Sequence, residues 1–330
     1  MILSNYQIIK ELGYGMFGTV YEIKTLYNKK HYALKIQHIE KKDIKNTNKS
    51  SIWREINFSI NFANKYHDQF IKLYDYDFIS DCELKQKYAF DTSTFPLEFQ
   101  KKINKLSSSP YCVRTVYEMV QGDLYQLRKK LSLKQFYSLI IQLTYIVELL
   151  HKNNYIHGDI HTKNIGWIKT TLTKIKLGKL QIPTFGYIFK LIDYGTIMNK
   201  LDIHNKKEQK IFENNYENEL FSLIFLVIDD SQIYDYVNKN NISRNFNEKY
   251  NEFKKTKFYD LIKKYFDNKY IQLFLFDILF QDQYQKIAFG KYYTKTILRK
   301  LYIPIEDIEY LIFNHKTPNK IIKYFNNLIV

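Results

Sequence analysis

Asp159, Asn164 and Asp193 are the residues of this sequence best suited to chemistry. The first two lie in the run His157-Gly158-Asp159-Ile160-His161-Thr162-Lys163-Asn164, and the third opens an Asp193-Tyr194-Gly195 turn. A carboxylate, an amide five residues on and a second carboxylate in an Asp-aromatic-Gly turn suit phosphoryl transfer. One carboxylate can orient an attacking hydroxyl, while the amide and the second carboxylate can hold a metal ion that carries phosphates. A lone His-x-Asp triplet arises by chance and carries little weight. The whole set, placed in loops after apolar segments, carries much more.

A second group of residues points the same way. Gly13-Tyr14-Gly15-Met16-Phe17-Gly18-Thr19-Val20 fits G-x-G-x-x-G-x-V, a loop whose glycines let backbone N–H groups approach phosphate oxygens. Before a helix, such a loop suggests a dinucleotide fold; here a strand-like run follows instead. Lys35 lies in Ala33-Leu34-Lys35-Ile36, where a lysine facing a cleft needs a carboxylate to hold it and phosphates to contact. Glu55, on the following helix, is the candidate partner. Alone, Lys35 reads as a solvated side chain; downstream of the glycine loop, it reads as functional.

The elements that must position these groups fall into two sets. Tyr6–Leu12, Thr19–Ile23 and His31–Ile36 alternate apolar and polar residues as short strands. Lys41–Ser50 is polar and reads as a loop. Ser51 is placed as the cap of a helix running to Asn64, with Ile52, Ile56, Ile60 and Ala63 on its apolar face. Strand-like runs return at Phe70–Ile79 and Val113–Val120, with a polar insertion or flap over 80–110 between them. Ser132–Asn153 reads as a strongly apolar helix burying Phe136, Leu139, Ile140, Leu143, Ile146, Val147 and Leu150. A loop and hairpin follow over 155–195, and 211–330 reads as helical. Strands followed by helices predict an α+β fold with a small β-rich lobe (residues 1–120) and a large α-helical lobe (residues 121–330).

Bulk composition narrows the class. At 330 residues, 25% charged and 45% hydrophobic, the chain reads as soluble and globular, with no apolar run long enough to span a bilayer and no secretory leader. Cys82 and Cys112 cannot alone build a disulfide framework or a four-ligand zinc site. The chain is therefore expected to be an intracellular, cytoplasmic monomer. Its net charge of +16 invites a nucleic-acid reading, yet only Arg54, Arg114, Arg128, Arg244 and Arg299 among the fifty basic residues are arginine. The lysines are read as a solvated surface, with no nucleic-acid or membrane partner. The abundance of Lys, Asn, Ile and Tyr resembles that of chains from AT-rich genomes.

Taken together, these motifs resemble the eukaryotic-type protein kinase superfamily from about Tyr6 to about Val227. That resemblance implies a bilobal kinase fold, ATP and Mg²⁺ as cofactors, and a protein substrate, with Ser or Thr as the acceptor. By the same resemblance Lys35 would hold the α- and β-phosphates, Glu55 would hold Lys35, Asp159 would orient the hydroxyl, and Asn164 and Asp193 would bind the metal. Gly13, Gly15 and Gly18 would line the phosphates, and Val20 and Ala33 would cover the adenine. Tyr117-Glu118-Met119-Val120-Gln121-Gly122-Asp123 resembles the adenine-binding hinge. Tyr117 would be its gatekeeper, Glu118 and Val120 would offer backbone groups, and Asp123 would reach the ribose or cap the next helix.

Several departures qualify the resemblance. Gly158 stands where an arginine usually clamps a phosphorylated activation loop, which argues against that mode of control; the His-Gly-Asp form is similar to the vaccinia-related kinase branch. His161 occupies the usual lysine position, and Lys163 is the candidate to neutralise the transferring phosphoryl group in its place. His161 also resembles aminoglycoside and choline phosphotransferases, which keeps a small-molecule phosphotransferase as an alternative. No Ala-Pro-Glu follows Gly195, and Glu219 stands where the central large-lobe helix usually carries Asp. The compact segment between Asp193 and Glu219 resembles that of kinases from large DNA viruses, whose setting would be the host cytoplasm or the virion. Gly166 replaces the aliphatic residue that supports adenine, leaving Ile165 or Ile192 to compensate; a pseudokinase scaffold is the reading that follows if neither does. The long 167–190 hairpin carries Lys169, Lys174, Lys176 and Lys179, read as solvated.

Overall fold

The computed structural model describes residues 2–14, 18–45, 50–82, 97–226, 255, 304–314 and 316–329. Gly15 and much of the helical remainder expected after Leu226 lie outside these residues.

The N-terminal part is a five-stranded antiparallel sheet. Its strands are β1 (Tyr6–Tyr14), β2 (Gly18–Thr25), β3 (His31–His38), β4 (Leu73–Ile79) and β5 (Cys112–Tyr117), in the order β1-β2-β3-β5-β4. Register places Val20 opposite Lys35 and Ala33 opposite Tyr117. Since side chains directly opposite one another share a sheet face, and those two apart along a strand do too, Val20, Ala33, Lys35 and Tyr117 line one face. Gly18 pairs with Gln37, and a Cβ there would lie 2.2 Å from the Ile36 carbonyl oxygen. A close approach of strands thus demands glycine at this position independently of any phosphate.

Helix α1 (Ser51–Phe58) lies between β3 and β4, with Ser50, rather than Ser51, as its N-cap. A π-helical turn over Ser59–Ala63 continues it. The wider turn rotates the buried face, so Phe58 and Phe62 point inward while Ile60, expected inside, is 44% exposed. The Ser59 hydroxyl donates to the Glu55 carbonyl at 2.7 Å, as a bending helix allows. The polar insertion is not all loop: α2 (Leu97–Ser107) forms within it. Cys82 and Cys112, expected to serve no covalent framework, form a disulfide with each other at the paired ends of β4 and β5. Two cysteines too few for a multi-bridge scaffold suffice where adjacent strands bring their Cα atoms to 5.7 Å.

After β6 (Gly122–Asp123) and the short α3 (Leu124–Leu127) the chain becomes helical. The long α4 (Leu133–Lys152) starts at a capping box, in which the Ser132 hydroxyl accepts from the Gln135 N–H and the Gln135 side chain accepts from the Ser132 N–H. All seven residues expected on its apolar side are buried. Its buried polar residues fasten it to the hairpin beyond: Ser138 donates to the Pro183 carbonyl and Gln142 accepts from the Phe189 N–H. The hairpin region comprises β7 (Tyr155–Ile156), β8 (Ile165–Lys169), β9 (Lys174–Leu177), β10 (Leu180–Pro183), β11 (Tyr187–Leu191) and β12 (Met198–Asn199). Strands β11, β8 and β6 make one small sheet. Helices α5 (Lys206–Leu226), α6 (Ile305–Asn314) and α7 (Pro318–Ile329) complete the described fold. Asp307 of α6, buried, accepts hydroxyl hydrogen bonds from Tyr137 of α4 and Tyr324 of α7 at 2.8 and 2.7 Å. No helix among the described residues is long and apolar enough to cross a membrane.

Candidate active site

The strand face of Lys35 meets α1 from one side and the Asp193-Tyr194-Gly195 turn from the other. Lys35 Nζ lies 2.9 Å from Glu55 Oε1, 3.2 Å from Glu55 Oε2 and 2.9 Å from Asp193 Oδ1. Burial works against the ammonium, but the carboxylates of Asp193 and Glu55 outweigh it and hold the Lys35 pKa above its ordinary value. In return Lys35 holds the Asp193 carboxyl down to about 2. Glu55 is 2% exposed and has a third partner, the Tyr117 hydroxyl, which donates to Oε1 at 3.0 Å.

Tyr194 explains how the turn is held. Its ring is fully buried against Phe58, 4.9 Å between centroids, and packs beside Phe70 and Tyr117. Its hydroxyl donates to the Leu191 and Ile71 carbonyls at 3.0 and 3.2 Å. Asp193 itself adopts φ 60°, left-handed backbone that turns its carboxylate toward Lys35 while Tyr194 stays inside.

The Asp159 loop is built by side chains that bind its backbone. His157, buried, accepts the Asp159 N–H at Nδ1 and contacts the Ile192 carbonyl through Nε2, which assigns the proton to Nε2. Asn164 Nδ2 donates to the Asp159 carbonyl at 3.0 Å and to Oδ2 at 3.1 Å. His161 Nδ1 accepts the Lys163 N–H, so its Nε2 donor faces Asp159 Oδ2 at 3.4 Å. That hydrogen bond is the main reason the Asp159 carboxyl is held below its ordinary range. The Lys163 ammonium lies over the Tyr125 ring, 5.7 Å from its centroid. From below, Glu219 of α5 accepts the Gly158 N–H at Oε1, 2.7 Å away, and meets His151 Nε2 at 2.9 Å through Oε2.

Other residues expected at the site fall as follows. Glu118 donates its N–H to the Lys72 carbonyl at 2.8 Å, so that donor is committed within the protein. Its carboxylate turns to Lys190, whose Nζ lies 2.8 Å from both oxygens and also donates to the His67 carbonyl. Asp123 caps α3, accepting from the Gln126 N–H, so of its two expected uses the cap is the one observed. Gly166 leaves no hole: a Cβ there would lie 2.8 Å from Val120 Cγ1 and 3.0 Å from Ile192 Cγ2. Ile192 and Val120 fill that space, while Ile165 is in the core. A Cβ on Gly13 would meet nothing within 4 Å.

Sequence reasoning missed Lys190 and the Tyr117 hydroxyl. A charge inside the otherwise apolar run Tyr187-Ile188-Phe189-Lys190-Leu191-Ile192 was the available signal for the first, because a buried lysine needs a partner.

A small antiparallel sheet with a lysine clamped by a helix carboxylate, set over a helical part whose loops present two aspartates and an asparagine, defines the protein kinase class of fold. The chain belongs to the protein kinase domain family, whose model matches residues 6–217. It is also 24% identical over 164 residues to the mitogen-activated protein kinase spm1 of Schizosaccharomyces pombe. That match covers 49% of this chain and 32% of the yeast protein. The chain thus spans about a third of the length of the curated relative it matches.

Proposed function

We propose that this chain is an ATP- and Mg²⁺-dependent protein kinase that transfers the γ-phosphoryl group to a Ser or Thr hydroxyl of a protein. The observation that carries the reading is the Lys35 ammonium held between Glu55 and Asp193, 2.9 Å from each. It joins a cation suited to phosphates with a carboxylate suited to a metal ion. The likeness to a mitogen-activated protein kinase favours a protein acceptor.

In this reading residues 1–120 form the small lobe and 121–330 the large one. Gly13, Gly15 and Gly18 line the phosphates, Val20 and Ala33 cover the adenine, and the hinge meets it through the Glu118 carbonyl and Val120 backbone; Asp123 stays at the ribose edge. Asn164 and Asp193 would hold Mg²⁺. Their donor set suits the ion: Asn164 spends its amide nitrogen on Asp159, leaving an oxygen, and Asp193 stays ionised to about pH 2. When bound, the ion would supply charge neutralisation at the phosphates. Lys35 fixes the α- and β-phosphates, Asp159 orients the substrate hydroxyl and accepts its proton, and Lys163 offsets charge on the transferring group.

The test is incubation of the full chain with labelled ATP and Mg²⁺, using casein and Ser/Thr peptides, with small alcohols in parallel. Lys35→Met and Asp193→Ala should each abolish incorporation while the protein stays folded. Incorporation that persists in both variants overturns the reading. A second reading, a small-molecule phosphotransferase, is favoured by His161 beside Asp159; label in the alcohols and not in protein would select it.

A further inference from the structure

Outside the cleft, one cluster of reactive side chains stands apart at the far end of the sheet. His38 ends β3, Cys112 begins β5 opposite it, and Cys82 follows β4. The ligand atoms of these three lie within 4.8 Å of one another. Two features show what this cluster can do. First, the two cysteines differ in exposure: Cys112 is fully buried, whereas Cys82 is partly exposed. Second, His38 Nδ1 lies 2.9 Å from the Ser109 carbonyl oxygen and 3.5 Å from Cys112 Sγ. A carbonyl and a disulfide sulfur can only accept, so Nδ1 carries the proton and points it at both. The same proton removes Nδ1 as a lone-pair ligand, which disfavours a metal ion here.

We propose that Cys82–Cys112 is an exchangeable disulfide, opened by a low-molecular-weight thiol of the glutathione type that attacks Cys82. The incoming thiolate bonds to Cys82 Sγ, on the partly exposed cysteine of the pair. The Cys82–Cys112 bond breaks, and its electron pair leaves on Cys112 Sγ as a thiolate. The His38 N–H stabilises that anion, which offsets the cost of forming it in a buried place and makes Cys112 the better leaving group. A second thiolate then attacks the small-molecule sulfur of the mixed disulfide and releases Cys82. In sum, two thiols and the protein disulfide give two protein thiols and one small-molecule disulfide, with protons balanced.

Opening is local. The Cys82 N–H still donates to the Pro110 carbonyl, the Ile39 N–H to the Tyr111 carbonyl, and the Ser109 hydroxyl to the Ile39 carbonyl. What is lost is the covalent closure across a sequence separation of 30 residues, at the start of the strand that runs on to Tyr117.

The experiment uses the full chain under native conditions with graded glutathione, acid quenching, alkylation and peptide mass spectrometry. The expected result is a transient glutathione adduct on the Cys82 peptide with a free thiol on Cys112. His38→Phe should slow opening roughly tenfold, and His38→Gln, whose amide can donate, should restore most of the rate. Reduction should lower the melting temperature by roughly 5–10 °C. An adduct on Cys112, opening only at the rate of global unfolding, or free thiols isolated with stoichiometric zinc would overturn the proposal. If His38→Phe does not fold, the site of the adduct in the unaltered protein decides. Phosphoryl transfer is not read, so the outcome stands apart from the assignment above.

Discussion

Tyr117 donates its hydroxyl proton to Glu55 Oε1 at 3.0 Å, on the same oxygen that Lys35 meets at 2.9 Å. Tyr117 is therefore a second clamp on the carboxylate that positions Lys35. Burial, and then the nearby Glu55 charge, push the phenol pKa well up, so it stays a donor throughout the working range. Tyr117→Phe keeps the ring and removes this bond. It should cost about 1 kcal/mol of stability by thermal or urea unfolding, and raise KM for ATP more than it lowers kcat.

Lys190 is the cation that neutralises Glu118, with side-chain exposures of 7% and 23%. Lys190→Met strands the Glu118 carboxylate. Partial exposure tempers the penalty, so a loss of about 1–3 kcal/mol is expected. The double variant with Glu118→Gln should recover part of it, and a double-mutant cycle of unfolding free energies measures how much.

Gly166 is the position at which a larger residue would be expected to help a nucleotide, and the packing predicts the reverse. Gly166→Leu places its Cβ 2.8 Å from Val120 Cγ1, so it should destabilise the fold by about 1–3 kcal/mol and weaken ATP binding. Isothermal titration alongside thermal melting checks both.

Much of the candidate site was legible because it is local. Asp159 to Asn164 lie within one loop, and Gly13, Gly18 and Lys35 fall on neighbouring strands, so spacing alone brings them close. The unforeseen contacts join residues far apart in the chain. Tyr117 and Glu55 are separated by 62 positions, and Lys190 and Glu118 by 72. Periodicity says that a side chain is buried, not which partner meets it. Ile60 shows a second blind spot: a π-helical turn breaks the 3.6-residue period from which its inward position was read.

The Asp159 loop yields a comparison of two of its residues. Lys163→Ala should lower kcat more than His161→Ala, since Lys163 carries the charge assigned to the transferring group. Steady-state kinetics with a protein acceptor measures the order, and the opposite order moves weight to small-molecule acceptors.

Acid stability has a definite sign at Asp193. Its folded pKa is about 2 against 3.8 for the free group, so its contribution is complete above about pH 4 and fades as pH falls toward 2. Melting curves between pH 6 and 2, taken without divalent metal, should show this fade, and Asp193→Asn should remove its share.

Glu118 turns its carboxylate toward Lys190, so in the proposed reading the hinge would meet a nucleotide through main-chain groups there. Selectivity at that edge is then written in the position of the peptide plane, not in the identity of the side chain. Ligands would be sorted by whether they match a rigid pattern of donors and acceptors. Substitutions at 118 would then change base preference only by moving the backbone, and the half-buried ion pair would act as a remote dial for what the site accepts.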